Sequence, residues 1–473
     1  MRDRGHATSS AASGFAKSGL ALLVVMLLTT TGAGGSSPHA KSSAQPNIVL
    51  IVTDDQRWDS MDQMPVLNGA PEWARFSNMF VDEPQCCPSR ASIFTGRYPQ
   101  HTHVQTLREG PRLDEKRTIS TMLHGAGYRT GHFGKYLNDY PFNRGLYTPP
   151  GWDQFVASVG AGDYYNYKLN ENGHIVSHGS QPQDYKTDVL TTMGRKFIST
   201  TKSSQPFFLY LAFNAPHGDS TGRIPPPPGG TGDCPGRAFP EAPNFNAHDA
   251  VSEPSWMSAE TPVNAANMQF QRAATCNSLQ GVDEALKSIV AELERTGRLK
   301  NTYLIFASDN GYAFGEHRLI GKGDLYEASA RVPLLVRGPD VQAGTVDRLT
   351  SNIDFVPTIL DWAHVTAPRH FIDGTSFAGD LRGRPQHDPQ EILLRGCRTQ
   401  RGVGNQCGGY RSNMGFNWGL RTATHKYIEY PDGYVQLFDL TSDPWELTNL
   451  ASDPAQAPLI ADLHARLMKL TAR

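Results

Sequence analysis

The run Asn47-Ile48-Val49-Leu50-Ile51-Val52-Thr53 constrains this chain more than any other stretch. Its central residues are all aliphatic, so neither alternating face offers a polar side chain to water. Such a segment suits a strand covered by helices on both sides of a parallel sheet. Similar runs begin at Pro206, Thr302 and Val332, with helical stretches between them. Leu279, Val282, Leu286, Ile289, Val290 and Leu293 recur at the steps that one buried helix face requires, and Gly297 supplies a stop. Thr118 caps a second predicted helix, which carries Ile119, Met122 and Leu123 and ends near Gly125. The pattern predicts an α/β fold with a large, mostly parallel sheet sandwiched by helices. A chain of 473 residues has room for that domain and a smaller appendage.

The N-terminus reads as an export signal. Arg2, Arg4 and Lys17 precede an apolar run from Leu20 to Leu28, small residues follow, and Pro38-His39-Ala40 offers a cleavage point. The apolar core falls short of the ~20 residues that span a bilayer, which ranks a retained anchor below a cleaved peptide. Residues 1–40 are therefore read as signal peptide and the start of a linker, and the protein is expected to be secreted or extracytoplasmic. The formal net charge of −2 gives no basic field for nucleic acid or an anionic membrane surface, so neither is expected as a partner. With 38% hydrophobic residues the chain can bury a core, which excludes wholesale disorder. The six cysteines are too scattered for a zinc ribbon.

Chemistry-bearing residues stand where the predicted strands end. The first runs into Asp54-Asp55, the second into Asn214-Ala215-Pro216-His217 and the third into Asp309-Asn310-Gly311. In open parallel sheets the ligand crevice lies at that edge, so distant segments would deliver Asp54, Asp55, His217, Asp309 and Asn310 to one rim. Singly, each also reads as a turn or cap. Together they suit a hard cation such as calcium, which takes six or more oxygen ligands, and the lack of paired histidines or thiolates argues against zinc. The segment Pro84-Gln85-Cys86-Cys87-Pro88-Ser89-Arg90 then predicts a helix with Cys86 just ahead of its N-terminus, where backbone N–H groups favour an anion. A cysteine phosphatase would need an arginine where Ser92 or Ile93 stands, which excludes that class.

Cys86-Cys87-Pro88-Ser89-Arg90, with Thr95-Gly96-Arg97 downstream, resembles the signature of the type I sulfatases of the alkaline-phosphatase superfamily. The resemblance extends over nearly the whole chain beyond the leader: Asp54-Asp55 and Asp309-Asn310 resemble the family's metal pairs, Gly134-Lys135-Tyr136 its first lysine element, Pro216-His217 its Pro-His, and Gly321-Lys322-Gly323 its second lysine block. The spellings Cys-Cys-Pro-Ser-Arg and Gly-Lys-Tyr-Leu-Asn are similar to those of the N-acetylglucosamine-6-sulfatase branch and related bacterial arylsulfatases. The stretch from Arg421 to Leu447 resembles the family's terminal subdomain, and its aromatic–polar alternation suits a half-solvated antiparallel sheet. The expected organisation is a catalytic domain at 46–368 and a C-terminal α+β subdomain at 369–473 with a terminal helix.

The resemblance implies that a maturation enzyme converts Cys86 to Cα-formylglycine, whose hydrate supplies the attacking hydroxyl. It implies one calcium ion held by Asp54, Asp55, the residue at 86, Asp309 and Asn310. Arg90, Lys135 and Lys322 would hold the nucleophile and the sulfate oxygens, and His217 would bind sulfate or protonate the leaving alcohol. The substrate would be a sulfated sugar, such as N-acetylglucosamine 6-sulfate in a glycosaminoglycan, or an aryl sulfate. Leu137 occupies a position that is histidine in many sulfatases, and His132, the nearby candidate, reads as a strand residue. A phosphodiesterase or phosphonate monoester hydrolase of the same superfamily, and a non-catalytic glycan-binding protein, are the alternatives. The Gly/Pro-rich stretch between Gly218 and Pro243 suits a wall or lid beside His217. Cys234 with Cys276, and Cys397 with Cys407, are the pairings open to an oxidising compartment.

Overall fold

Alternate residues of the first strand enter two different cores. Ile48, Leu50 and Val52 pack on one side of the sheet with Ile93, Phe94, Leu123, Val356 and Ile359, while Val49 and Ile51 pack on the other with Leu190, Phe197, Leu279, Leu286 and Ile289. The helices Cys86–Thr95, Ile119–Gly125 and Phe355–Ala363 supply the first side, and Lys186–Thr200 and Ala265–Arg295 the second. The computed structural model describes residues 45–160, 162–230, 234, 241–248, 253–254, 257, 260–368, 370–384, 391–396 and 416–472. The expected signal peptide and the Cys397–Cys407 pair lie outside them.

The strands, in chain order, are β1 (Asn47–Asp54), β2 (Ala74–Phe80), β3 (Arg129–Gly134), β4 (Gln154–Val159), β5 (Lys168–Glu171), β6 (His174–Ser177), β7 (Phe207–Pro216), β8 (Thr302–Ser308), β9 (Ala313–Phe314), β10 (Ile320–Gly321), β11 (Leu334–Arg337), β12 (Gly344–Ser351), β13 (Glu391–Gly396), β14 (Asn417–Thr422), β15 (His425–Glu429) and β16 (Val435–Asp439). A ten-stranded sheet runs β12-β2-β11-β8-β1-β7-β3-β4-β5-β6, and a four-stranded one runs β13-β14-β15-β16. β8, β1, β7, β3 and β4 are parallel neighbours, so the centre of the large sheet has the expected arrangement.

Two details differ from the sequence reading. The run at Val332 was expected to join the parallel set, yet β11 pairs antiparallel with both β8 and β2. A parallel return needs a crossover of a dozen or more residues, usually a helix, whereas the segment after β8 holds the small β9–β10 hairpin and the short helix Glu327–Ala330. The second run also continues beyond Phe213 through Pro216, because its neighbour β1 extends alongside it and pairs Asp54 with Pro216.

The small sheet is antiparallel throughout, as its alternation predicts. Leu463 and Leu467 of the terminal helix Ala457–Thr471 pack on its Leu393, Leu420 and Tyr427. Toward the large sheet it presents buried cations: Arg395 pairs with Glu83 at 2.5 Å, and Arg421 and Lys426 reach Glu327 at 3.0 and 2.9 Å. Cys234 and Cys276 form a disulfide with Cα atoms 5.7 Å apart, and Cys87 is free and buried.

Candidate active site

Register brings the acidic residues together. β1 lies between β7 and β8, with Thr53 opposite Ser308 and Asp54 opposite Pro216, so the residues that follow these three strands emerge side by side. Asp55 leaves β1 with φ 66°, a left-handed conformation uncommon outside glycine and concentrated at functional sites. Asn310 donates its amide to Asp55 at 2.5 Å, and the Asp55 N–H faces Asp309 at 3.4 Å. All four of Asp54, Asp55, Asp309 and Asn310 are buried.

Cys86 is the first residue of its helix, one position inside the place expected for it, with Gln85 at the cap. Its Sγ lies 3.4 Å from Asp54 Oδ1 and 2.7 Å from Lys322 Nζ. Arg90, one turn on and wholly buried, donates Nε to Asp309 at 2.8 Å and Nη1 to the Lys135 carbonyl at 3.0 Å. Lys135 pairs with Asp54, and Lys322 pairs with Asp55. Glycines aim both lysines. Gly134 has φ 119°, and a Cβ there would stand 1.9 Å from the Ala212 carbonyl oxygen, which accepts the Lys135 N–H at 2.9 Å. Gly321 and Gly323, at φ 103° and 100°, flank Lys322.

His217 follows β7 directly. Its Nδ1 meets the Gly218 carbonyl at 2.5 Å, and because that oxygen only accepts, Nδ1 carries the hydrogen. Nε2 therefore points the other way, 3.7 Å from Asp55 Oδ2, on a side chain 36% exposed. The Tyr164 hydroxyl fixes the His217 backbone by donating to its carbonyl at 2.8 Å. Tyr164 lies between β4 and β5, where no sequence pattern singles it out.

The electrostatics follow from packing anions and cations out of water. Burial opposes the charged form of Asp54, but Lys135, His217, Lys322 and Arg90 outweigh it and hold the carboxyl well below its usual range. Burial and the Asp54 charge push Asp309 up, against the pull of Arg90. Lys135 and Lys322 stay firmly charged because Asp54 and Asp55 respectively offset their desolvation. Burial, reinforced by Asp54, pushes the Cys86 thiol up to about 12, so the unmodified side chain is a neutral thiol and a poor nucleophile at neutral pH.

Ligand atoms of Asp54, Asp55, Cys86 and His217 all lie within 4.8 Å of one another. Asn310 Oδ1 is buried beside them without a hydrogen-bond partner, although its amide nitrogen is engaged. Carboxylates and an unsatisfied amide oxygen form a donor set that fits a hard divalent cation. Asp309 joins the cluster through Arg90 and the Asp55 amide, while His217 brings a nitrogen to it that the sequence reading had assigned to sulfate or to the leaving alcohol.

A cleft of about 240 Å³ opens over the cluster, lined by Cys86, Lys135, Leu137, His217 and Lys322 among others. Leu137 thus reaches the cleft from the position where many sulfatases have histidine. His132 does not replace it: the ring is buried among Phe155, Tyr210 and Trp152, with Nδ1 3.3 Å from the Val156 carbonyl. His101 pairs with Asp373 at 2.6 Å and is absent from the cleft lining. Asn138, Ser158 and Asn214 also line the cleft, and sequence reasoning assigned none of them.

A family model described as Sulfatase matches residues 46–365. The N-acetylglucosamine-6-sulfatase of Capra hircus is 33% identical over 91% of this chain and 84% of its own length. An extracellular sulfatase SULF-1 homolog of Drosophila melanogaster is 34% identical over 72% of this chain and 32% of its own. A protein solved in complex with its substrate D-glucosamine-2-N,6-O-disulfate shares the fold, with a TM-score of 0.76, 22% identity, and coverage of 90% of this chain and 98% of that one. The chain belongs to the sulfatase family of sulfuric ester hydrolases.

Proposed function

We propose that this protein is an exported sulfatase that removes sulfate from a sugar, with N-acetylglucosamine 6-sulfate in a glycosaminoglycan as the substrate class to test first. The observation that carries the reading is Cys86 on the floor of the cleft, between Lys322 and Asp54, inside the Cys-Cys-Pro-Ser-Arg signature. The 33% identity to an N-acetylglucosamine-6-sulfatase supports the sugar, and the N-terminal sequence supports export. Among the described residues no helix is long and apolar enough to cross a membrane. The catalytic domain is taken as 46–368 and the C-terminal subdomain as 369–473.

In this reading a maturation enzyme converts Cys86 to formylglycine, whose hydrate supplies a hydroxyl nucleophile, and one calcium ion would lower the pKa of that hydroxyl. Asp54, Asp55, Asp309 and Asn310 would hold the ion with the residue at 86. Arg90 orients Asp309 from within the helix through its 2.8 Å Nε bond. Lys135 and Lys322 neutralise the sulfate oxygens, whose negative charge otherwise repels any nucleophile. Attack in line with the ester oxygen breaks the S–O bond to the leaving alcohol, and His217 Nε2, directed away from the Gly218 carbonyl, is placed to give that oxygen a proton. Inorganic sulfate is then released from residue 86 when its second hydroxyl loses a proton, with Asp55 or a water as base, and water restores the hydrate.

The test is mass spectrometry of the Cys86 peptide from a host with the maturation enzyme, alongside turnover of N-acetylglucosamine 6-sulfate with calcium added or chelated. Loss of sulfur for oxygen at residue 86 and calcium-dependent sulfate release are expected. An intact thiol and no release would sink the reading, and a strong preference for phosphate diesters would transfer the chain to its phosphodiesterase relatives.

A further inference from the structure

We propose that Asn138, Ser158 and Asn214 form a hydroxyl-binding wall that recognises the sugar ring carrying the sulfate and sets the preference for sugar over aryl esters. The inference rests on the sulfatase reading above and names the residues that choose its substrate. β7, β3 and β4 are neighbours in the sheet, and Asn214 lies on β7, Asn138 four residues past the end of β3, and Ser158 on β4. All three line the cleft that holds Cys86, Lys135 and Lys322.

Each has a side-chain oxygen that is shielded from solvent and lacks a hydrogen-bond partner: Asn138 Oδ1, Ser158 Oγ and Asn214 Oδ1. Asn214 is only 4% exposed. Buried polar atoms are nearly always paired, so three orphans on one wall of one cleft mark the place where a ligand completes them. Their chemistry states which ligand. Two amide oxygens and a hydroxyl are uncharged acceptors, with one donor between them, and they match the hydroxyls or the N–H of an amino sugar. The cations of the cleft, Lys135 and Lys322, pair with Asp54 and Asp55 and would take the sulfate. An aromatic leaving group in the same place would leave the wall unpaired, and sites built to hydrogen-bond a hydroxyl discriminate strongly against analogues lacking it.

The experiment uses the full matured protein with calcium and compares wild type, Ser158→Ala, Asn138→Ala and the double variant. The readout is the ratio of kcat/KM for N-acetylglucosamine 6-sulfate to kcat/KM for 4-nitrophenyl sulfate. Each single change is expected to lower that ratio about fivefold and the pair about 25-fold, the loss of one or two neutral hydrogen bonds. Parallel losses on both esters, with a ratio that moves less than twofold, would mean that the wall is structural and overturn the inference alone. Inactivity of matured wild type toward both esters would overturn the proposed function and this inference with it.

Discussion

Gly134→Ala should damage catalysis through the backbone alone. At φ 119° the residue occupies a region that costs an L-amino acid about 1–3 kcal/mol, and the new Cβ would sit 1.9 Å from the Ala212 carbonyl oxygen. Ordinary contact begins at 3.4 Å, so β3 and β7 must part by about 1.5 Å or the backbone must rotate. Either movement breaks the 2.9 Å bond from the Lys135 N–H to the same carbonyl and displaces the ammonium paired with Asp54. Strain and overpacking together predict a stability loss of about 3 kcal/mol. An ångström of misplacement predicts a fall in kcat/KM of about 100-fold. Gly127→Ala is the matched control, because Gly127 also has a positive φ, 90°, but a Cβ there meets nothing within 4 Å. It should lose stability without losing turnover. Steady-state kinetics and denaturant unfolding on both variants separate the two effects. If Gly134→Ala keeps kcat/KM within threefold of wild type, the claim that this glycine places Lys135 is wrong.

Other perturbations address the remaining parts of the site. Cys86→Ala should abolish turnover while circular dichroism and the unfolding midpoint stay near wild type; measurable sulfate release by that variant would refute the assignment of residue 86 as nucleophile precursor. Lys322→Ala should lower kcat/KM by about 10²–10³-fold by removing a cation from the reacting end of the cleft, and a near-normal value would remove Lys322 from the charge clamp. Burial holds His132 down at about 3 against an ordinary 6.5. The unfolded chain therefore binds a proton that the folded one refuses as pH falls from 6.5 to 3. This group costs about 1.4 kcal/mol of stability per pH unit across that window and nothing above it. His132→Phe, which keeps the ring in its aromatic surroundings, should flatten the acid limb of the stability curve, and an unchanged limb would assign acid sensitivity to other groups.

What sequence could carry to the site, and what it could not, follows from the range of the forces involved. The aliphatic run at 48–52 announces a strand buried on both faces because burial acts on each residue separately, and its alternate members do enter two cores. Asp54, Asp55, His217, Asp309 and Asn310 were placed on one rim by a rule about strand ends, and parallel register makes that rule hold here. The antiparallel β11 escaped the same reasoning, since an apolar run looks alike in either direction and only the missing crossover helix decides. Gly134 and Gly321 were legible as motif letters, but their reason is a backbone approach from Ala212 in one case and a positive φ at the end of β10 in the other, fixed by a residue far away in sequence or by φ itself. The wall of Asn138, Ser158 and Asn214 was illegible for a stronger reason. Nothing in a lone asparagine or serine distinguishes a solvated side chain from an orphaned one, and the difference exists only once neighbouring strands have closed off water and withheld a partner. Chemistry that depends on residue type could therefore be read in advance, whereas selectivity here depends on unsatisfied atoms, which only tertiary packing creates.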